Sequence, residues 1–151
     1  MAYYFAYGSC MSVKDLARTV KDAQLVGAAI VADYELAFTK YSSGRQGGVA
    51  DIVSKPGCKV EGIVFEVNDF KALDRREGVH NGLYKRIPVQ LVLAQTSETI
   101  HAETYTVVEK EADEVIPSDD YMNIILDGAS RLSEEYQHGL KGRFKKFRET
   151  L

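Results

Sequence analysis

The chain has 151 residues, of which 45% are apolar and 27% charged, the composition of a folded globular domain rather than of a disordered or fibrous chain. A formal net charge of −3 argues against nucleic acid as a general partner, and no stretch approaches the ~20 apolar residues that a membrane-spanning helix needs. Cys10 and Cys58 share no metal-ligand spacing and the three histidines are scattered, so no metal centre is expected. The opening "MAYYFAY" has no basic leader, which points to a cytoplasmic protein with free thiols.

In chain order, residues 3–7 alternate as a strand, with Tyr3, Phe5 and Tyr7 on one face and Tyr4 and Ala6 on the other. The turn Tyr7-Gly8-Ser9-Cys10 then leads straight into a helix. Ser12 and Asp15 fit a capping box there, and Val13, Leu16, Ala17 and Val20 keep helical spacing. Glycine allows a close approach to the backbone, and the free N–H groups and positive end of that helix would face back toward the turn. Such a turn can cradle a carboxylate or an oxyanion, or it can be plain connection.

Residues 29–39 read as a long strand with Tyr34, Leu36 and Phe38 on one face. The Gly-rich "SSGRQGG" joins it to "VADIV", and "SKPGCK" reads as a turn into "VEGIVFEV". A short helix follows at "NDFKALDRRE", where Phe70, Leu73, Asp74 and Glu77 recur at helical steps, and it stops at Gly78. Strands are expected at "YKRIPVQLVLA" and "HAETYTVV". Ser118 then caps one helix and Ser133 starts the last. The cations of "KGRFKKFRET" suit a solvated final turn at the negative end of a helix dipole. Strands that mostly precede helices, joined by short turns, predict an α+β fold in one domain over residues 1–151.

Two places could carry chemistry. Glu77 sits at a helix C-terminus, against the dipole, and a residue that breaks a local rule merits inspection as functional. Cys10, near a helix start, could be a thiolate nucleophile of lowered pKa, with His80 or His101 as its base. Nine tyrosines and no tryptophan allow several hydroxyls to line a polar cavity.

Taken in order, three segments resemble the gamma-glutamylcyclotransferase-like family. "YFAYGSC" resembles its Tyr-Gly-Ser-Asn signature. "KVEGIVFEVNDFKALDRREGVHNGLY" resembles its Gly-Val-Val/Ile-Phe strand with Leu-Asp-x-x-Glu-Gly and a downstream Gly-x-Tyr, and "PSDDYMNIILDGASRLSEEYQHGL" is similar to a further segment of the glutathione-cycle members. The resemblance implies a small mixed-sheet barrel with packed helices and a cavity at one end. It implies cofactor-independent cyclisation of a γ-glutamyl amide to 5-oxoproline with release of an amine or amino acid. Glu77 falls on the acid–base position. Tyr4, Phe5, Ala6, Tyr7, Gly8 and Ser9 fall on the substrate-binding loop, and Tyr84 and Tyr121 on further substrate contacts. The implied partner is a small γ-glutamyl substrate, and a homodimer is left open. Cys10 replaces the family's Asn, which removes a side-chain amide and bears on which substrate is bound. The alternatives are a non-catalytic binder of a γ-glutamyl-like metabolite and a thiol-dependent amide hydrolase or acyltransferase using Cys10.

Overall fold

The computed structural model describes residues 2–150, so the expected domain limits at Met1 and Leu151 lie outside the described residues. Five strands, β1 (Ala2–Ala6), β2 (Gln24–Ser42), β3 (Gly47–Val67), β4 (Tyr84–Leu93) and β5 (Thr99–Val107), close into a barrel in the order β1-β3-β2-β4-β5. Neighbours pair antiparallel except β1 and β5, which meet in parallel where Tyr4 faces Glu103. The α+β barrel expected from the sequence is therefore the fold observed. Closure pairs the sheet edges, and apolar residues on both faces of the barrel wall are covered, among them Phe5 on one face of β1–β3 and Ile63 and Phe65 on the other, all fully buried.

Four helices pack around the barrel: α1 (Val13–Leu16), α2 (Lys71–Arg76), α3 (Asp119–Gly128) and α4 (Glu134–Glu149). Ser118 and Ser133 cap α3 and α4 as predicted, their hydroxyls accepting from the N–H groups of Tyr121 and Tyr136. The N-terminus of α4 is also tied to the barrel, because Glu61 of β3 accepts from both the N–H and the hydroxyl of Ser133. Phe144 of α4 stands edge-on to Phe38 of β2 with ring centroids 5.9 Å apart. At the end of α4, Arg148 pairs with Asp119, so the basic tail is solvated but not wholly free.

Two sequence expectations need correction. The helix after the first turn is a single turn, Val13–Leu16, and a 3-10 turn at Ser9–Met11 precedes it. Its Ser12 cap accepts from the N–H of Asp15, but the Asp15 carboxylate does not complete the capping box, because arginines claim it. A helix this short has little dipole to offer a bound anion. The segment "SKPGCK" also does not separate two strands. β3 runs unbroken past it, and the pairing with β2 jumps from Lys59 opposite Ala32 to Ser54 opposite Tyr34. The kink is set by Asp33 at φ 65°, whose carboxylate accepts from the N–H of Gly57.

Candidate active site

A cavity of about 810 Å³ opens at one end of the barrel. Distant parts of the chain meet in it: Tyr4, Tyr7, Gly8 and Ser9 from β1 and its turn, Glu77 from the end of α2, Tyr84 from β4 and Tyr121 from α3. Of the residues the sequence singled out, Phe5 and Ala6 stay outside its lining. Phe5 is fully buried in the core, and its carbonyl takes the Thr104 hydroxyl at 2.7 Å.

Glu77 reaches the cavity for a local reason. It follows the last residue of α2, its N–H still bonded to the Leu73 carbonyl at 2.9 Å. Gly78 then turns the chain in the left-handed region at φ 65°, which a residue with a side chain resists. A Cβ there would also lie 2.7 Å from Leu83 Cδ1. The side chain of Glu77 is 19% exposed, and among the described residues its carboxylate takes no hydrogen bond; its nearest cation is Arg76, at 3.9 Å. Burial pushes its pKa up, and the charges of Arg76 and Arg45 offset this only in part.

Two of the tyrosines are held by the backbone of one residue, Ala50. The Tyr84 hydroxyl donates to the Ala50 carbonyl at 3.0 Å, and the Ala50 N–H donates to the Tyr121 hydroxyl at 3.0 Å. Tyr121 therefore keeps its own proton to donate into the cavity, whereas Tyr84 presents lone pairs. Burial pushes the Tyr121 pKa up to about 12, and Tyr4, Tyr7 and Tyr84 are raised by the same cause, so all are protonated at neutral pH. Gly8 lies so close beneath them that a Cβ would come within 2.9 Å of Ala50 Cβ. The N–H groups of Gly8 and Ser9 bond to no acceptor among the described residues, and both residues line the cavity.

A cationic cluster that the sequence did not disclose stands at one wall. Asp15 accepts from Arg76 at 2.6 Å, from Arg45 at 3.2 Å and from Arg18 at 3.2 Å. Burial alone would raise the Asp15 pKa, but the hydrogen bond and charge of Arg76, with Arg45 and Arg18, more than offset it and hold the carboxyl below its usual range. Arg45 also lies over the Tyr121 ring, 5.3 Å from its centroid. The only advance signal was the Arg75-Arg76 pair immediately before Glu77.

Cys10 behaves differently from the activated thiol considered above. It is buried with its thiol against the Tyr4 hydroxyl, burial pushes its pKa up to about 11, and no histidine lines the cavity. Among the described residues, no three His, Cys, Asp or Glu side chains gather where one metal ion could be held, and no helix is long and apolar enough to cross a membrane.

The site therefore combines a largely buried carboxylate, without a hydrogen bond among the described residues, with tyrosine hydroxyls and a glycine turn. Residues 59–140 match the model of the AIG2-like family. The chain is 34% identical over 146 residues to the gamma-glutamylcyclotransferase of Homo sapiens, which covers 91% of this chain and 76% of the relative. The chain belongs to this family. A putative gamma-glutamylcyclotransferase of Bacillus subtilis is 31% identical, over 92% of this chain and 50% of that protein. A solved gamma-glutamyl cyclotransferase structure superimposes with a TM-score of 0.87 at 32% identity, over 93% of this chain and 86% of the other. The resemblance seen in the three sequence segments thus extends over most of the family's fold.

Proposed function

We propose that this protein is a gamma-glutamylcyclotransferase, converting a γ-glutamyl amide to 5-oxoproline and a free amine with Glu77 as its acid–base residue. The observation that carries the reading is the Glu77 carboxylate, largely buried, without a hydrogen bond, and open to the cavity. A carboxylate kept in that state has a partner still to meet, and its raised pKa suits proton transfer near neutral pH.

The chemistry is internal to the substrate. Its α-amino nitrogen attacks the γ-carbonyl carbon and closes a five-membered ring, and the bond from that carbon to the departing nitrogen breaks. Holding the glutamyl chain folded in a near-attack geometry is the protein's first task. Glu77 takes a proton from the α-ammonium group, which makes the nitrogen a nucleophile, and passes it to the departing nitrogen; it then takes a second proton from the ring nitrogen and passes that on too, so the ring keeps one N–H and the amine leaves as an ammonium. The unbonded N–H groups of Gly8 and Ser9 are suited to the oxyanion that develops on the γ-carbonyl. Tyr121 can donate a hydrogen bond to the substrate and Tyr84 can accept one. Tyr4 and Tyr7 wall the head group, while Phe5 and Ala6 act by shaping the strand that carries them. No step calls for a redox centre or Lewis acid, so the reaction is assigned as cofactor-independent, and two free cysteines suit a reducing cytoplasm.

The test is detection of 5-oxoproline by mass spectrometry after incubation with a panel of γ-glutamyl compounds, before and after exhaustive chelation. The reading predicts 5-oxoproline and free amine in equal amounts, undiminished by chelator and retained in Cys10→Ser. Release of glutamate in place of 5-oxoproline would make the protein a hydrolase, and loss in Cys10→Ser would return the thiol to consideration.

A further inference from the structure

The cyclisation needs two parts of the chain at a set distance: the N–H groups of Gly8 and Ser9 at the γ-carbonyl, and the Glu77 carboxylate between the two nitrogens. Nothing within either part fixes that distance. Glu77 makes no hydrogen bond among the described residues, and the helix that carries it, α2, is only six residues long. The segment after β1 is a 3-10 turn followed by a single helical turn, and elements so short have little rigidity of their own.

Arg76, the residue before Glu77, joins the two. Its Nη2 donates to the Asp15 carboxylate at 2.6 Å and to the Ser9 hydroxyl at 3.4 Å. Its Nη1 donates to the Thr19 hydroxyl at 3.0 Å and to the Asp15 carbonyl at 3.2 Å. Residues 9, 15 and 19 run from the turn through α1 and beyond it, and one planar guanidinium holds all three. Among the described residues, these are the hydrogen bonds that tie that segment to α2. The Nε of Arg76 lies 3.9 Å from the Glu77 carboxylate, too far for a hydrogen bond. The fork is therefore occupied by the segment after β1, and Glu77 stays free for a substrate.

Resting on the cyclotransferase reading above, we propose that Arg76 is a positioning residue that sets the distance between the Gly8–Ser9 turn and the Glu77 carboxylate. The task calls for arginine. A rigid fork reaches three residues in different directions, whereas a lysine ammonium brings the same charge to one point. Near-attack geometry is intolerant of error, and a displacement of about 1 Å can cost on the order of a hundredfold in rate. The charge of Arg76 is a separate matter. Burial raises the Glu77 pKa; the charge of Arg76, and then of Arg45 from the turn between β2 and β3, works against it, and Asp15 works with it. Cys10 and the cavity tyrosines that face Glu77 are uncharged at neutral pH. Arg76→Lys keeps the charge and loses the fork, which separates position from electrostatics.

Arg76→Lys, Thr19→Val and the double variant, each shown to be folded by circular dichroism, are compared with wild type in 5-oxoproline release from γ-glutamyl-alanine. Thr19→Val removes one acceptor of the fork and no charge. In Arg76→Lys kcat is expected to fall about ten- to a hundredfold with KM within about twofold, and in Thr19→Val it falls less. The acid limb of the pH profile stays in place, and the double variant is no worse than Arg76→Lys, because both changes break one tie. Wild-type kcat in Arg76→Lys, a loss recovered by changing pH, a loss confined to KM, or additive losses in the double variant overturns the proposal. Amide hydrogen exchange reads the tie without turnover. The N–H groups of Met11 and Ser12, bonded to the Gly8 and Ser9 carbonyls, and that of Glu77, bonded to the Leu73 carbonyl, should all exchange faster in Arg76→Lys. Faster exchange in a protein whose wild type releases no 5-oxoproline keeps the tie and removes the cyclisation. Turnover with kcat and exchange unchanged in Arg76→Lys keeps the cyclisation and removes the tie.

Discussion

Glu77 and Asp15 are two largely buried carboxylates whose environments push them in opposite directions, and each makes a signed prediction. Asp15 is 6% exposed and holds three guanidinium groups together. Asp15→Asn leaves those cations without their counter-charge and is expected to cost about 3 kcal/mol, the usual scale for breaking a buried pair. Because its folded pKa is depressed, the stabilisation is present above the unfolded carboxylate value and is lost as pH falls through the folded one. Thermal unfolding should therefore separate Asp15→Asn from wild type at neutral pH and bring the two together in acid. Glu77 has the opposite sign. Its folded pKa is raised, so its favourable contribution is full below the unfolded value and is lost as pH rises through the folded one. Glu77→Gln should unfold at a higher temperature than wild type at pH 8, with the gap closing below pH 5; a variant less stable than wild type at pH 8 would contradict the burial argument. Glu77 could be picked out in the sequence because it sits against a helix dipole beside a glycine, a local feature. The grip of Asp15 on Arg45 and Arg76 spans 30 and 61 residues, and no local pattern encodes it.

At the scale of elements, what was legible followed from caps and alternation. Ser118 and Ser133 announce α3 and α4, Gly78 ends α2, and the alternating Ile87, Val89 and Leu91 belong to β4. What was not legible depended on packing between elements. The run Val13, Leu16, Ala17 and Val20 has helical spacing, yet only one turn forms, and Val13 is 47% exposed. The "KPGC" run looks like a strand break, but the two long strands continue past it because Asp33 takes up the kink. One contact between elements bears directly on the cavity. Gly128 at the end of α3 lies against the 3-10 turn at Ser9–Met11, where a Cβ would fall 2.6 Å from the Ser12 nitrogen and 2.8 Å from Met11 Cβ. Gly128→Ala should therefore cost about 1–3 kcal/mol of stability by overpacking. It should also raise KM, since α3 carries Tyr121 and the displaced turn carries Ser9. Thermal unfolding beside steady-state kinetics checks both; unchanged stability would mean that helix and turn can part without loss.

For the whole molecule, the barrel explains why a site of such distant residues exists. β1 closes against β5, some hundred residues later, through the Thr104 hydroxyl on the Phe5 carbonyl and the Tyr7 hydroxyl on the Tyr105 carbonyl. That closure sets the turn after β1 opposite Glu77, so the turn "YGSC" and the helix end "RREG" meet across one cavity. The strand runs directly into its turn because the turn is the floor of that cavity, and the excess of tyrosines is partly its wall. The central claim is that Glu77 moves the protons of an internal cyclisation. Its most direct test is the rate of 5-oxoproline release from γ-glutamyl-alanine by wild type and by Glu77→Gln, with the variant shown to be folded by circular dichroism. The account predicts a fall in kcat of about 10³-fold, within the range of general acid–base catalysis, with binding of the substrate retained. Release at the wild-type rate from the folded variant would contradict it.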